Sequence, residues 1–431
     1  TAAVDHPAAI GICSQVNTHV AVDAALRPLA PAISWQDQRC AAVAAELDAL
    51  VDDRRAAIWG GPFTIDASCP IARAEWWRRH EPDVWERTRW LLSPKDVCVA
   101  ALTGDVATDR ISPIGLVGTE GEYLDAALDL VPGLAATCPP LAEFDAVVGT
   151  TNGALGVAAG VPVAVGTMDV WGSLFGSGVV DPGDAAHISG TSEVAITCAD
   201  RPGGAAGVIS FPAVRGRYVH AAPTQAGGDA LRWVSTLVGL PIDGALAAAA
   251  AARRRPQPIV FLPYLAGERA PLWNPAARGV FVGLTSQSEA GDVVLAVLEG
   301  VAHAARRNLR QCEVVAGGPS TRVRLAGGAT RSDLWNQIKA DAHGRPLEVV
   351  ESPAVGAVGA ALMGAVAAGI DDDLDALARR LARVRAVVEP DPAATTRLDE
   401  LHDVFVTATD QLLDTFATLA DIGQSGETME Q

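Results

Sequence analysis

The side chain best suited to chemistry is Asp169, in the stretch VPVAVGTMDVWGSLFGSG from Val161 to Gly178. Val161, Val163 and Val165 make a short β-branched apolar run, the pattern of a buried strand, and Gly166 ends it. One carboxylate then stands in otherwise uncharged surroundings. At a strand end beside a crevice, such a group takes a proton from a bound hydroxyl. An acid at a helix N-terminus is also favoured by the dipole alone, and this stretch by itself leaves both readings open. Gly172, Ser173, Gly176, Ser177 and Gly178 follow, and their small side chains predict a helix packed against another backbone.

A second group lies near the start. Ala8 to Ile12 has strand character and runs into Cys13-Ser14-Gln15, while Val20 to Val22 and Ile33 to Trp35 predict further strands joined by a turn. On this reading Gln15, Asn17, Trp35 and Asp37 line one mouth, although such residues are also common in solvated loops. Asp109 sits in a loop predicted over 108–115.

The third group consists of glycine turns. Ala185 to Ile188 and Val194 to Thr197 predict a hairpin with the tip Ser189-Gly190-Thr191-Ser192. Its backbone N–H groups and hydroxyls form a nest that suits phosphate, and a plain hairpin tip looks the same in sequence. Gly227 and Gly228 precede a helix over 230–238, a position that admits an anion. Val323 and Leu325 alternate as a strand, Ala326-Gly327-Gly328-Ala329 turns, and a helix runs over 334–343 with Ser332 as N-cap. Two glycines at a strand end let a flat ligand lie on bare backbone, though a tight turn needs them too. The long polar loop GERAPLWNP, Gly267 to Pro275, follows a strand over 259–265, and such loops in compact domains tend to be functional.

Periodicity names the elements that must hold these groups. Cys40 to Leu50, Pro70 to His80, 245–252, Gly291 to Leu309 and Val355 to Gly369 read as helices. In the second of these Ile71, Ala74 and Trp77 or Trp76 face inward. Pro82 to Leu102 reads as a helical pair broken at Pro94, and 146–168 as helix, turn and strand. Leu374 to Val388 reads as one helical run and Thr395 to Leu419 as another. A chain of 431 residues exceeds the size of a single core, so two domains are expected. Composition shifts near Pro182 towards short strands and glycine turns, which places domains at 1–180 and 181–423, with 424–431 a disordered tail.

Charge narrows the partners. Lys+Arg 33 against Asp+Glu 51 gives −18, with no basic run longer than Arg253 to Arg255. That excludes nucleic acid or an anionic membrane surface as the expected partner. Seven scattered cysteines without a CxxC pair fit reduced thiols in a cytoplasmic protein. The start TAAVDHPAAI lacks the pattern of a signal peptide.

The order of these pieces is more telling than any one of them. An acid on a strand-to-helix turn, SGTS, a GG before a helix, YLAGERAPLWNPAARGVFVGLT and LAGGATRSDLWNQIKADAHGRPLEV occur in one chain. Together they resemble the FGGY carbohydrate kinases, over nearly all of the sequence and most specifically at Tyr264 to Thr285 and Leu325 to Gly369. The resemblance implies an α/β chain of two ribonuclease-H-like domains of the actin/hexokinase superfold around a cleft. The first domain would bind the sugar and the second ATP. It implies Asp169 as the base that accepts the sugar hydroxyl proton during attack on the γ-phosphate of Mg·ATP, serving Mg2+ only indirectly. Gly190, Thr191 and Ser192 match a phosphate-binding hairpin, and Gly227 and Gly228 a turn near the nucleotide. Gly327, Gly328, Ala329 and Ser332 match the adenosine-binding turn. Gln15, Val16 and Asn17 fall where relatives contact the sugar, with Trp35 and Asp109 as further substrate contacts.

Many xylulose kinases carry Met-His and glycerol kinases Arg-Glu where this chain has Val-Asn. Family members open with a strand and a DxGTxxxK turn, and nothing before Ala8 matches it. The expectation is therefore an N-terminal domain short of its first strands, in an incomplete record of an active kinase. A small ketose, a pentulose such as xylulose or ribulose, is the expected substrate. A glycerol or erythritol kinase and a non-catalytic nucleotide- or sugar-binding homologue are the alternatives. A homodimer is compatible with all of these.

Overall fold

The computed structural model describes residues 7–61 and 63–427, with side chains through 422. The opening TAAVDH and residues 428–431 of the expected tail lie outside the described residues. The chain divides into two compact units, Thr1–Gly178 with Val355–Leu381, and Val179–Ala354 with Ala382–Gln431. The segment 355–381, which the expected boundary assigns to the second domain, thus belongs to the first.

The reason is glycine. The helix Val355–Ala367 lies against the helix Asp169–Ser177 with no side chain between the backbones. A Cβ on Gly176 would stand 1.8 Å from the Val355 carbonyl oxygen, and one on Gly359 1.8 Å from that of Gly172. At Gly11, just before the first strand, it would stand 1.7 Å from the carbonyl oxygen of Ala360. Only hydrogen fits at these places, so the small-residue pattern specifies the packing.

The first unit is otherwise built of short strand pairs and helices. Cys13–Ser14 runs parallel to Thr167–Met168, with Cys13 opposite Thr167 and Ser14 opposite Met168. Val20–Val22 pairs antiparallel with Trp90–Leu92, Val147–Thr150 with Pro162–Ala164, and Thr108–Asp109 runs parallel to Leu141–Ala142. The helix Pro70–His80 takes its proline at the first turn, where no N–H is missed. It buries Ile71, Ala74 and Trp77 beside Val43 and Leu47 of the helix Ala41–Leu50.

Several expectations fail in this unit; of Ala8–Ile12, expected as a strand, only Ile10 bridges, to Val163, and the strand itself is Cys13–Ser14. Ile33–Trp35 is not a strand, since only Ile33 bridges to His19. The expected helix within 146–168 is a strand, because Gly153, Gly156 and Gly160, all at positive φ, break the chain before a helix can nucleate. The expected helical pair over 82–102 is interrupted by Trp90–Leu92, which is drawn out to complete the pair with Val20–Val22.

The second unit holds a seven-stranded mixed sheet. In spatial order its strands are Ile209–Val214, Arg217–Pro223, Glu193–Ala199, Asp184–Ser189, Arg322–Ala326, Leu347–Val350 and Val384–Val388. Asp184–Ser189, Arg322–Ala326 and Leu347–Val350 run parallel at its centre. The long helix Ala290–Ala316 buries Val294, Val297, Val301 and Leu309. Its neighbours include the helices Gly228–Leu237, Ile242–Ala252 and Asp333–His343.

The expected helical run 374–388 ends at Leu381, and Val384–Val388 adds an antiparallel edge strand to Leu347–Val350. Pro392–Gln411 and Leu413–Glu427 are helical, so 424–427 of the expected disordered tail continue a helix. The seven cysteines are free thiols. Among the described residues no single helix is long and apolar enough to cross a membrane.

Candidate active site

Asp169 is the first residue of its helix, directly after the buried Thr167–Met168 strand, and it is exposed. Its Oδ1 accepts the Val170 N–H at 2.8 Å. The strand pairs parallel with Cys13–Ser14, and the helix start is held by the glycine packing described above. A carboxylate in water is thus carried on a rigid, dry support. Nearby, burial and then the Asp169 charge push the Cys13 thiol up to about 11. Cys13 therefore stays protonated and donates to the Gly356 carbonyl at 3.2 Å.

Gln15, Asn17 and Trp35 come together around Thr18, a residue the sequence reading did not single out. The Thr18 hydroxyl oxygen accepts from Gln15 Nε2 at 3.0 Å and from the Trp35 backbone N–H at 3.1 Å. Asn17 takes a left-handed backbone, φ 57°, and donates its Nδ2 to Ser68 Oγ at 3.0 Å. Its Oδ1 is buried without a hydrogen-bond partner in the protein. Buried Arg73 pins this loop from beneath, donating to the carbonyls of Ile33, Ser34 and Ala67. Val16 and Trp35 are half-buried beside Gln15, which is exposed. Asp37 pairs instead with Arg39.

Asp109 is a correction. It is fully buried on a two-residue strand, not in a loop, and its carboxylate is already engaged. Lys95 Nζ lies 3.0 Å from Oδ1. Oδ2 accepts the Thr167 hydroxyl at 2.7 Å and the backbone N–H groups of Ser112 and Ile111 at 3.1 and 3.3 Å. Its lysine, fourteen residues upstream in sequence, is what draws it inside.

In the second unit three glycine turns meet. Gly190 and Thr191 are exposed at the hairpin tip and Ser192 is half-buried. The Gly190 N–H donates to the Ser192 carbonyl at 2.9 Å, closing the tip. Gly228 and Asp229 donate their N–H groups to the carbonyls of Gly190 and Thr191 at 2.9 and 3.1 Å. Those N–H groups hold the hairpin, so they are not open to an anion. Gly227 permits the contact, since a Cβ there would lie 2.7 Å from Ser192 backbone.

Gly327, at φ 94°, touches the other end of the hairpin, where a Cβ would meet the Ser189 carbonyl oxygen at 2.3 Å. Beside it Gly328 is exposed, and an added Cβ would meet no atom within 4 Å. Ala329 is half-buried, and Ser332 caps the next helix by accepting the Trp335 N–H at 3.3 Å. These turns form a bare cradle of exposed backbone and small polar groups at Gly328 and the hairpin tip.

Sequence reasoning missed the groups that hold this cradle. Lys339, buried on the helix Asp333–His343, donates to Ser189 Oγ at 2.6 Å and pairs with Glu193, clamping the two strand ends of the hairpin. From GERAPLWNP, Arg269 Nη2 donates to the Thr224 carbonyl at 2.8 Å, and buried Glu268 accepts the Thr224 hydroxyl and the Gln225 N–H, each at 2.7 Å. The signal was present. Lys95 and Lys339 are the only lysines among 33 basic residues, and both are buried.

Comparison with known proteins shows the family. Residues 2–176 match the N-terminal domain, and 185–368 the C-terminal domain, of the FGGY family of carbohydrate kinases. Xylulose kinase of Escherichia coli (strain K12) is 33% identical over 384 residues, covering 85% of this chain and 77% of the relative. Gluconokinase of Bacillus subtilis (strain 168) is 26% identical over 389 residues, covering 85% and 76%. The crystal structure of xylulose kinase from Rhodospirillum rubrum superposes with a TM-score of 0.83 at 28% identity, covering 96% of this chain and 86% of that one. The fold is the two-domain actin/hexokinase-like fold of these sugar kinases. With both halves of its sequence matched, this chain belongs to the FGGY family of carbohydrate kinases.

Proposed function

We propose that this carbohydrate kinase transfers the γ-phosphoryl group of ATP to a hydroxyl of a small ketose, a pentulose such as xylulose or ribulose, with Asp169 as general base. The observation that carries the reading is Asp169 itself, an exposed carboxylate on a rigid junction of buried strand and close-packed helix. As the hydroxyl oxygen attacks phosphorus and the bond to the ADP oxygen breaks, the hydroxyl proton passes to the Asp169 carboxylate. Gln15, Val16, Asn17 and Trp35 orient the sugar. Gly190, Thr191 and Ser192 hold phosphate, and Gly327, Gly328 and Ala329 the adenosine. Gly227, Gly228 and Ser332 act by fixing those turns. Identity to xylulose kinases supports the pentulose.

Magnesium enters as the partner of the nucleotide. Among the described residues no three potential ligands cluster, and Mg2+ is commonly held by one or two carboxylates with phosphate oxygens and water. In this reading Asp169 would serve the ion as the indirect carboxylate. Bound there, Mg2+ supplies charge neutralisation on the phosphates.

The test is a substrate screen of purified full-length protein with Mg·ATP, reading ADP release against pentuloses, gluconate, glycerol and erythritol. The expected result is a kcat/KM for a pentulose about tenfold or more above the others, as polar-site discrimination allows. Preference for a polyol or for gluconate would overturn the pentulose assignment.

A further inference from the structure

We infer that Thr167, held by Asp109 on the buried ammonium of Lys95, is a positioning residue for Asp169. The inference rests on the reading of Asp169 as the base. Lys95 Nζ is enclosed between carboxylates, 2.5 Å from Asp96 Oδ1 and 3.0 Å from Asp109 Oδ1, with the Val165 carbonyl at 3.5 Å. Burial opposes its charge and the two carboxylates more than offset it, so the ammonium is retained. A buried charge cluster is a costly way to hold a fold together, and apolar residues of similar volume commonly serve as well. Its placement therefore needs a reason.

The placement points at the strand end. Asp109 Oδ2 accepts the Thr167 hydroxyl at 2.7 Å. Thr167 and Asp169 lie two positions apart, so the rotation of Thr167 about the strand sets the direction in which the chain leaves it. The strand Thr167–Met168 is only two residues long, and its ladder to Cys13–Ser14 is equally short. Such a ladder defines that rotation poorly. The hydroxyl-to-carboxylate bond supplies a further fixed point. The partner strand is tied to the same lysine, because the Lys95 N–H donates to Ser14 Oγ at 3.1 Å. Asp96 closes the arrangement by completing the capping box of its own helix, accepting the Ser93 backbone N–H at 3.2 Å.

The experiment compares Thr167→Val, which keeps the shape and removes the donor, with Thr167→Ser, which keeps the donor, and with Asp169→Asn. Steady-state kcat, KM for ATP and sugar, and thermal midpoint are measured for each full-length protein. Thr167→Val is expected to lower kcat about 10- to 100-fold, the scale of a small misplacement of a reacting group, with KM for ATP within about twofold. Its midpoint should stay within about 5 °C of wild type, and Thr167→Ser should recover most of the rate. If Thr167→Val fails to fold, Thr167→Cys, a weaker donor of similar size, takes its place. A wild-type kcat in Thr167→Val beside an inactive Asp169→Asn overturns the positioning role alone. A rate lost equally in the Val and Ser variants also overturns it. An active Asp169→Asn overturns the underlying reading.

Discussion

At the scale of residues, two carboxylates that look alike in sequence have opposite fates. Asp169 is exposed at the end of its strand, whereas Asp109 is carried inside by Lys95. Glu268 shows a third fate. Burial first, against three hydrogen bonds and Arg269, pushes its carboxyl up to about 7. A folded pKa above the unfolded value of about 4.5 means that the folded state binds the proton more tightly, so this group's contribution to stability falls as pH rises from about 4.5 to about 7 and is flat above. Glu268→Gln lacks that dependence. The stability gap between the variant and wild type should therefore move in favour of the variant between pH 5 and pH 8, by up to about 3 kcal/mol. Urea midpoints at several pH values measure it, and a gap that is constant or moves the other way contradicts the assignment.

At the scale of elements, the glycine turns divide into those that serve the fold and those that face a ligand. Gly327→Ala adds a Cβ 2.3 Å from the Ser189 carbonyl oxygen in a left-handed backbone, so it should lower the melting temperature. Gly328→Ala meets no protein atom within 4 Å and should leave stability within about 1 kcal/mol. If adenosine lies there, Gly328→Ala nonetheless weakens ATP binding, about tenfold or more, by titration calorimetry. Unchanged binding would remove Gly328 from the nucleotide site. Both glycines were legible in the sequence as a turn, but their different tasks were not, because Ser189 is remote in the chain. The same holds for Val384–Val388. Its residues continue a helical-looking run, and only the antiparallel partner Leu347–Val350 makes it a strand. The helix Pro70–His80 and the hairpin at 190–192 were readable because periodicity and turn chemistry are local. Lys95 and Lys339 were missed because a single lysine on a helix reads as surface until its buried partner is known.

At the scale of the molecule, the chain leaves the first compact unit at Gly178, returns at Val355 for the glycine-rich helix, and leaves again after Leu381. The helix that supports Asp169 is therefore completed by sequence nearly two hundred residues away. Phosphoryl transfer asks little covalent chemistry of a protein and a great deal of placement. The fold answers with rigid backbone contacts, with buried ion pairs beneath Asp169 and the hairpin and with buried Arg73 beneath the Gln15 loop. The direct test of the whole account is turnover of a pentulose by Asp169→Asn, read alongside its ATP affinity. The prediction is a kcat lower by about 10²- to 10⁴-fold, the usual worth of a general base, with ATP bound as in wild type. Turnover at the wild-type rate would contradict it.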